Sequence, residues 1–149
     1  TQGVSSAASD VYKRQVIISE DLKFVSKAHG EADKQAANRM LESWRADLET
    51  TDPELLRRHY SRNFKAMRGQ NLNNWLDKVQ QSNLGARKIS VSLRDVTLFR
   101  YPDQKDQKEL IVAAFTQEAT IGKGKHVTRK RQYWAKEGAQ WKIVSEVNL

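Results

Sequence analysis

Cysteine is absent from the 149 residues, which removes disulfides, thiolate metal sites and cysteine nucleophiles together and leaves the redox compartment open. Histidine is scarce. His29, His59 and His126 are the three, and no two stand four apart, the spacing that puts two imidazoles on one helix face, so neither a metal site nor a cofactor is expected. No apolar run approaches the roughly 18 residues that a membrane-crossing helix needs. The longest, Leu110 to Phe115, has the length of a strand. Phosphate-loop and hydrolase-elbow motifs are missing too: the single Gly-x-Gly, Gly122-Lys123-Gly124, reads as a hairpin turn with no helix behind it, and no Gly-x-Ser-x-Gly occurs.

What is present suits one core. A mass of 17.1 kDa with 38% hydrophobic residues is enough for one domain and too little for two. The formal charge is +8, and its densest stretch runs from Ala119 to Lys136 without an acidic residue, including Lys123, Lys125, Arg129 and Lys130. This stretch is either a solvated hairpin whose lysines discourage edge pairing or a contact for a polyanion such as nucleic acid, lipid headgroup or acidic glycan. No helix-turn-helix, zinc-finger or RNA-recognition signature accompanies it, so nucleic acid is not the expected partner.

Residues 1–15 are rich in Ser, Ala and Gly, and SAASDVYKRQ resembles an adapter-derived tail, a non-native artefact to be set aside. On that reading the natural start is unknown, and the loss of a leader or a whole upstream domain is left open. Residues 1–30 are expected to be a disordered tail and linker, and 31–149 one domain. In that domain, Ala36, Met40, Leu41, Trp44 and Leu48 form the apolar stripe of a helix over Ala32 to Glu49. Thr51 or Asp52 caps a second helix with Pro53 at its first position, ending near His59 or Tyr60. Asn71 caps a third through about Asn83, buried through Leu72, Trp75, Leu76 and Val79. After Gly85 the period falls to two: Ile89, Val91 and Leu93 alternate, then Val96 and Leu98 on the other parity, and a β-bulge at Arg94 and Asp95 accounts for the switch. Strands follow at Leu110 to Thr120, Val127 to Lys136 and Gln140 to Val147. Their short links make an antiparallel meander, which the three helices cover.

The segments MLESWRADLETTDPELLRRHYSRNF, NNWLDKVQQSN, ISVSLRDVTLFRYP, LIVAAFTQEAT and RKRQYWAKEGAQWKIVSEVNL resemble the SnoaL-like branch of the nuclear transport factor 2-like superfamily. They are most similar to the C-terminal pocket domain of some bacterial cell-shape L,D-carboxypeptidases and L,D-transpeptidase-like envelope proteins. The resemblance implies an α+β cone: three N-terminal helices on a strongly curved, four-stranded or slightly larger antiparallel sheet, with a central pocket. It also implies a homodimer formed through the sheet, for which Phe99, Tyr101 and Trp134 are the outward apolar candidates, and a periplasmic location if the envelope link holds, otherwise a cytoplasmic one. L,D-peptidase chemistry needs a cysteine, so the chain resembles at most the accessory domain.

Alternation places Phe115 and Gln117 on one face of their strand and Arg129, Arg131 and Tyr133 on one face of the next; on the last strand, Trp141, Ile143 and Ser145 alternate with Lys142, Val144 and Glu146. With Trp44, Tyr60, Phe64 and Trp75 from the helical side, the candidate pocket is Trp44, Tyr60, Phe64, Trp75, Phe115, Gln117, Arg131, Tyr133 and Glu146. The aromatics are either core or ligand-stacking surface. A superfamily enzyme would need a buried Asp or His base. Asp47, His59, Asp95, Glu118, His126 and Glu146 are the titratable candidates, and no catalytic residue is assigned: each has a solvent, capping or ion-pair role open to it, Glu146 by pairing with Arg131 across strands. The expected function is a non-catalytic pocket or accessory domain taking a small molecule or cell-wall fragment. The rivals are a small isomerase, lyase or cyclase, and a polyanion-binding module.

Overall fold

The computed structural model describes residues 27–66, 69–82, 89–101 and 109–149. The expectations for 1–26 lie outside the described residues. Helix α1 (Lys27–Glu49) begins five residues before the expected Ala32 and continues through Gly30. One glycine inside a helix costs only about 1 kcal/mol relative to alanine, too little to stop it. Its buried stripe is Ala37, Leu41, Trp44 and Leu48, so Ala37 takes the place expected of Ala36. Asp52 caps α2 (Pro53–Arg57), its carboxylate accepting from the Glu54 amide at 2.9 Å, and Pro53 costs no donor at the first helical position. Asn71 caps α3 (Leu72–Ser82) in the same way, accepting from the Asn74 amide at 3.0 Å.

Five strands form one sheet: β1 (Tyr60–Ala66), β2 (Ile89–Tyr101), β3 (Leu110–Ile121), β4 (Gly124–Glu137) and β5 (Gln140–Asn148), in the order β1-β5-β4-β3-β2. The expected meander is β2 to β5. The wholly antiparallel sheet is corrected, because β1 joins the far edge parallel to β5 and makes the sheet mixed. The chain can do this because α3 and three strands lie between β1 and β5, length enough for the crossover that a parallel pair demands. The turns into β4 and β5 each hold a glycine in the left-handed region, Gly122 at φ 61° and Gly138 at φ 63°, where side chains are strained.

Two bulges decide which residues face the helices. On β2, Arg94 pairs with Thr116 but Thr97 with Ala114, so β2 carries one extra residue, with Asp95 at φ 54°. That is the expected bulge, and it returns Leu98 to the side of Val91 and Leu93. On β5, Ser145 pairs with Tyr133 but Ile143 with Trp134. Val144 is the extra residue, and Ile143 and Glu146, expected on opposite faces, are both wholly buried on one.

The inner face of the sheet meets the helices through Trp44, Leu48, Phe64, Ile111, Phe115, Trp134 and Ile143, all in one core. Trp134, expected on an outward surface, is buried completely there. A polar clamp fastens α1 to the free edge of β2: Glu49 accepts from the Val91 amide at 2.8 Å, and Arg45 donates to the Val91 carbonyl at 2.8 Å. The two side chains also pair at 2.7 Å, one helical turn apart, so they fill the hydrogen-bond positions a sixth strand would take.

Candidate functional site

Deep on the inner face, Glu146 has no exposure at all. A buried carboxylate is tolerable only when its oxygens are met by donors. Tyr60 donates to Oε2 at 3.0 Å and Gln132 Nε2 to Oε1 at 2.8 Å. Each donor is itself anchored, since Trp44 Nε1 donates to the Tyr60 hydroxyl at 3.2 Å and Trp134 Nε1 to Gln132 Oε1 at 3.1 Å. Elements distant in sequence are thus tied at one point: α1, β1, β4 and β5. Burial first, and then the Glu146 charge, push the Tyr60 hydroxyl well above the usual phenol range, so it remains a donor at any ordinary pH.

Lys130 stands beside this line with 11% of its side chain exposed, its ammonium 3.5 Å from Glu146 Oε1. That distance is an ion pair and longer than a good hydrogen bond. The ammonium otherwise lies over two indole rings, 5.8 Å from the centre of Trp44 and 5.5 Å from that of Trp75, within cation–π range.

Above them is a cavity of about 710 Å³, walled by α1, α3 and strands β2 to β5. Val79, Val91 and Ala119 give it an apolar lining; Glu146, Lys130, Gln117 and Thr128 give it polar points, and the exposed Lys78 and His126 border it. The polar ends of two lining residues, Trp75 Nε1 and Gln117 Oε1, are buried away from the open space, and the Trp75 indole N–H lies near the Tyr60 hydroxyl. Among the described residues, no three of His, Cys, Asp and Glu gather as a metal site would require.

Of the nine residues expected to line a pocket, Trp75, Gln117 and Glu146 do. Trp44, Tyr60, Phe64 and Phe115 are buried in the core beneath it, with Trp44 and Phe115 rings 5.7 Å apart and Tyr60 and Phe64 rings 5.0 Å apart. Arg131 and Tyr133 fall on the outer face, because the inward residues of β4 are Lys130, Gln132 and Trp134. Glu146 accordingly pairs with Lys130 and not with Arg131. Gln132, wholly buried, was not among the candidates; only the knowledge that Trp134 points inward would have found it.

The basic stretch does not form one surface. Lys130 faces the cavity, and Arg129 lies on the outer face and donates to Thr116 Oγ1 at 3.2 Å. Lys125 reaches Glu118 at 3.3 Å, and Lys123 is exposed in the turn. The other titratable candidates sit apart from the cavity or at its border. His59 Nε2 meets Asp47 Oδ2 at 2.6 Å, fixing the turn before β1 to α1. Asp95 and Glu118 both pair with Arg94 at 3.0 Å, and Arg94, then Lys125, hold the Glu118 carboxyl below its usual range. Glu146, the carboxylate inside, has both oxygens engaged by donors, a poor arrangement for taking a proton from a substrate.

The family model of the Cds6 C-terminal NTF2-like domain matches residues 36–147. No curated protein matches the chain. Among solved structures, the chain is similar to Bd1075 of Bdellovibrio bacteriovorus, with 26% identity and a TM-score of 0.72 over 84% of this chain and 44% of that one. An NTF2-like protein of unknown function from Pseudomonas putida shares the fold at 13% identity and a TM-score of 0.65, over 79% of this chain and 86% of that one. So does the helical cell shape determining protein Pgp2 from Campylobacter jejuni, at 14% identity and a TM-score of 0.58, over 72% of this chain and 38% of that one. The chain spans less than half the length of the Bdellovibrio and Campylobacter proteins.

Proposed function

The chain belongs to the family of Cds6 C-terminal NTF2-like domains, and on that premise we propose that it is a non-catalytic binding module whose cavity takes a small carboxylate-bearing ligand of the kind cell-wall peptide fragments present. The observation that carries this reading is Lys130. Its ammonium is sheltered against two indoles, meets its one carboxylate only at 3.5 Å, and lines a 710 Å³ space. Hydrogen-bonding capacity is left over for an anion entering that space, in surroundings dry enough to strengthen the attraction. The cell-shape role named for the Campylobacter neighbour supports a wall-derived ligand. Against catalysis stands Glu146, each of whose oxygens already accepts a hydrogen bond, from Tyr60 and from Gln132.

The test is a calorimetric titration of the full chain with soluble peptidoglycan fragments. The comparison is a double variant, Lys130→Met with Glu146→Gln, which removes both charges together and leaves no buried ion alone. Saturable binding that weakens about tenfold or more in the double variant supports the reading. No binding to the parent chain, or equal binding to both, overturns it.

A second reading, self-association through the outer face of the sheet, has its own observation. Phe99, Val112 and Tyr133 stand in register across β2, β3 and β4, a half-buried aromatic pair about a fully buried valine. Arg131 on the same face has a buried Nε without a partner. Light scattering tests it: a doubled mass that Tyr133→Lys halves supports a homodimer, and a monomeric mass at high concentration ends the idea.

A further inference from the structure

The polar side of the cavity is carried by one strand. Lys130, Thr128 and His126 are successive inner-face residues of β4, in register with Phe115, Gln117 and Ala119 of β3, and all three line the space. Each two-residue step along a strand advances about 6.6 Å, so Lys130 and His126 stand about 13 Å apart along the cavity floor. Beside this rail the walls are apolar, with Val91, Ala119 and Ile121 from the neighbouring strands and Val79 from α3. The two ends of the rail differ. Lys130 is the closed end, under the indoles of Trp44 and Trp75. His126 is the open end: it is exposed, and its ring lies over Gly124 in the turn, where an added Cβ would come within 3.2 Å of Nε2. Among the described residues, the His126 side chain makes no hydrogen bond or ion pair. The exposed Lys78 also lines the space, and the turn before His126 carries the exposed Lys123. Among the described lining residues, Glu146 is the one acid, and Lys130 already faces it.

A ligand with a single carboxylate uses the closed end alone. One long enough to emerge between the apolar walls meets a basic rim, where a second negative group is favoured. Allowing one hydrogen-bond length, about 3 Å, at one or both ends of the 13 Å rail leaves roughly 7–10 Å between the two groups. We propose that the cavity takes an elongated ligand with two acidic groups at about that separation on a largely apolar chain, the inner one at Lys130 and the outer one at the rim of His126 and Lys78. This rests on the carboxylate-binding reading given above. It adds that length and a second charge select the ligand, and that His126 and Lys78 determine specificity from outside the closed end. An acidic peptide and a simple diacid share this chemistry.

The experiment uses the full chain and two matched pairs of probes, titrated by calorimetry or ligand-observed NMR. N-acetyl-glutamyl-alanyl-alanine and its glutaminyl counterpart differ by one charge, which stands two residues, about 7 Å, from the terminal carboxylate. Suberate and octanoate differ in the same way, and extended suberate holds its carboxyl carbons about 9 Å apart. The parent chain is expected to bind the two-acid member of at least one pair about fivefold more tightly, the upper range for an exposed ion pair, and the pair that shows the excess tells a peptide from a simple diacid. That excess should shrink as salt is raised. The double variant Lys78→Gln with His126→Gln should abolish it and leave the single-acid probes unchanged; both side chains are exposed, so the melting temperature should hold. Equal affinities within both pairs, or an excess that survives the rim variant, overturn the proposal; the carboxylate reading stands without it if the same probes weaken in the Lys130→Met and Glu146→Gln double variant. Absence of binding by every probe also overturns it, and the peptidoglycan-fragment titration then shows whether the broader reading falls as well.

Discussion

β4 turns nearly the same chemistry toward its two sides: Lys130, Gln132 and Trp134 inward, Arg129, Arg131 and Tyr133 outward. A cation, a second polar group and an aromatic stand on each. Inward, helices cover them, and every polar atom must find a partner: Trp134 bonds Gln132, Gln132 bonds Glu146, and Glu146 draws in Lys130. Outward, the same kinds of side chain keep partial contact with water and need no network. Burial, and not residue type, makes one face a site and leaves the other a surface.

The comparison can be broken most forcefully at the aromatics. Trp134→Ala should cost on the order of 3–5 kcal/mol by opening a void in the core, whereas Tyr133→Ala should cost about 1 kcal/mol; urea unfolding of both variants reads the ratio, and similar losses would erase the distinction between faces. The charges give the next effect. Glu146→Ala, which strands Lys130 and the Tyr60 hydroxyl, should remove about 3 kcal/mol, and replacing Lys130 by Met together with Glu146 by Leu should restore most of it. A double variant no better than the single would mean that the ion pair matters less than the hydrogen bonds around it.

The smallest effect is one of pH. The folded Tyr60 pKa lies well above its ordinary value of 10.0, so the folded state holds this proton more tightly than the unfolded chain does. Stability from this group is therefore complete below about pH 10 and falls as the pH rises beyond it toward the folded pKa. Tyr60→Phe should flatten that alkaline decline in a series of unfolding curves from pH 8 to 11, at the expense of a lower plateau.

Much of the fold was legible because local chemistry announces it. Asp52 with Pro53 marks one helix start, and Asn71 marks another. The change of parity after Leu93 marks the bulge at Asp95, which the register locates between Arg94 and Thr97. β1 was not legible. Its residues, YSRNFKA, are buried in an irregular order, and its partner β5 lies some eighty positions away, where no local pattern reaches. The pocket was half legible for a related reason. Trp75 and Gln117 follow from helix and strand spacing, but either face of β4 fits the alternation equally well, and the extra residue Val144 reverses the parity of β5 before Glu146. A single inserted residue is invisible to a period-two reading until the partner strand is known.

The clamp of Arg45 and Glu49 on Val91 bears on how such a domain can be built into something larger. A sheet edge with bare amides recruits any extended segment that drifts past, the first step of fibril growth as well as of peptide capture by strand addition. Here the amide and carbonyl of Val91, near the start of that edge, are already occupied by side chains of the domain's own helix. Neighbours are turned away from lengthening the sheet at that point, and what remains for them is to lie flat against it.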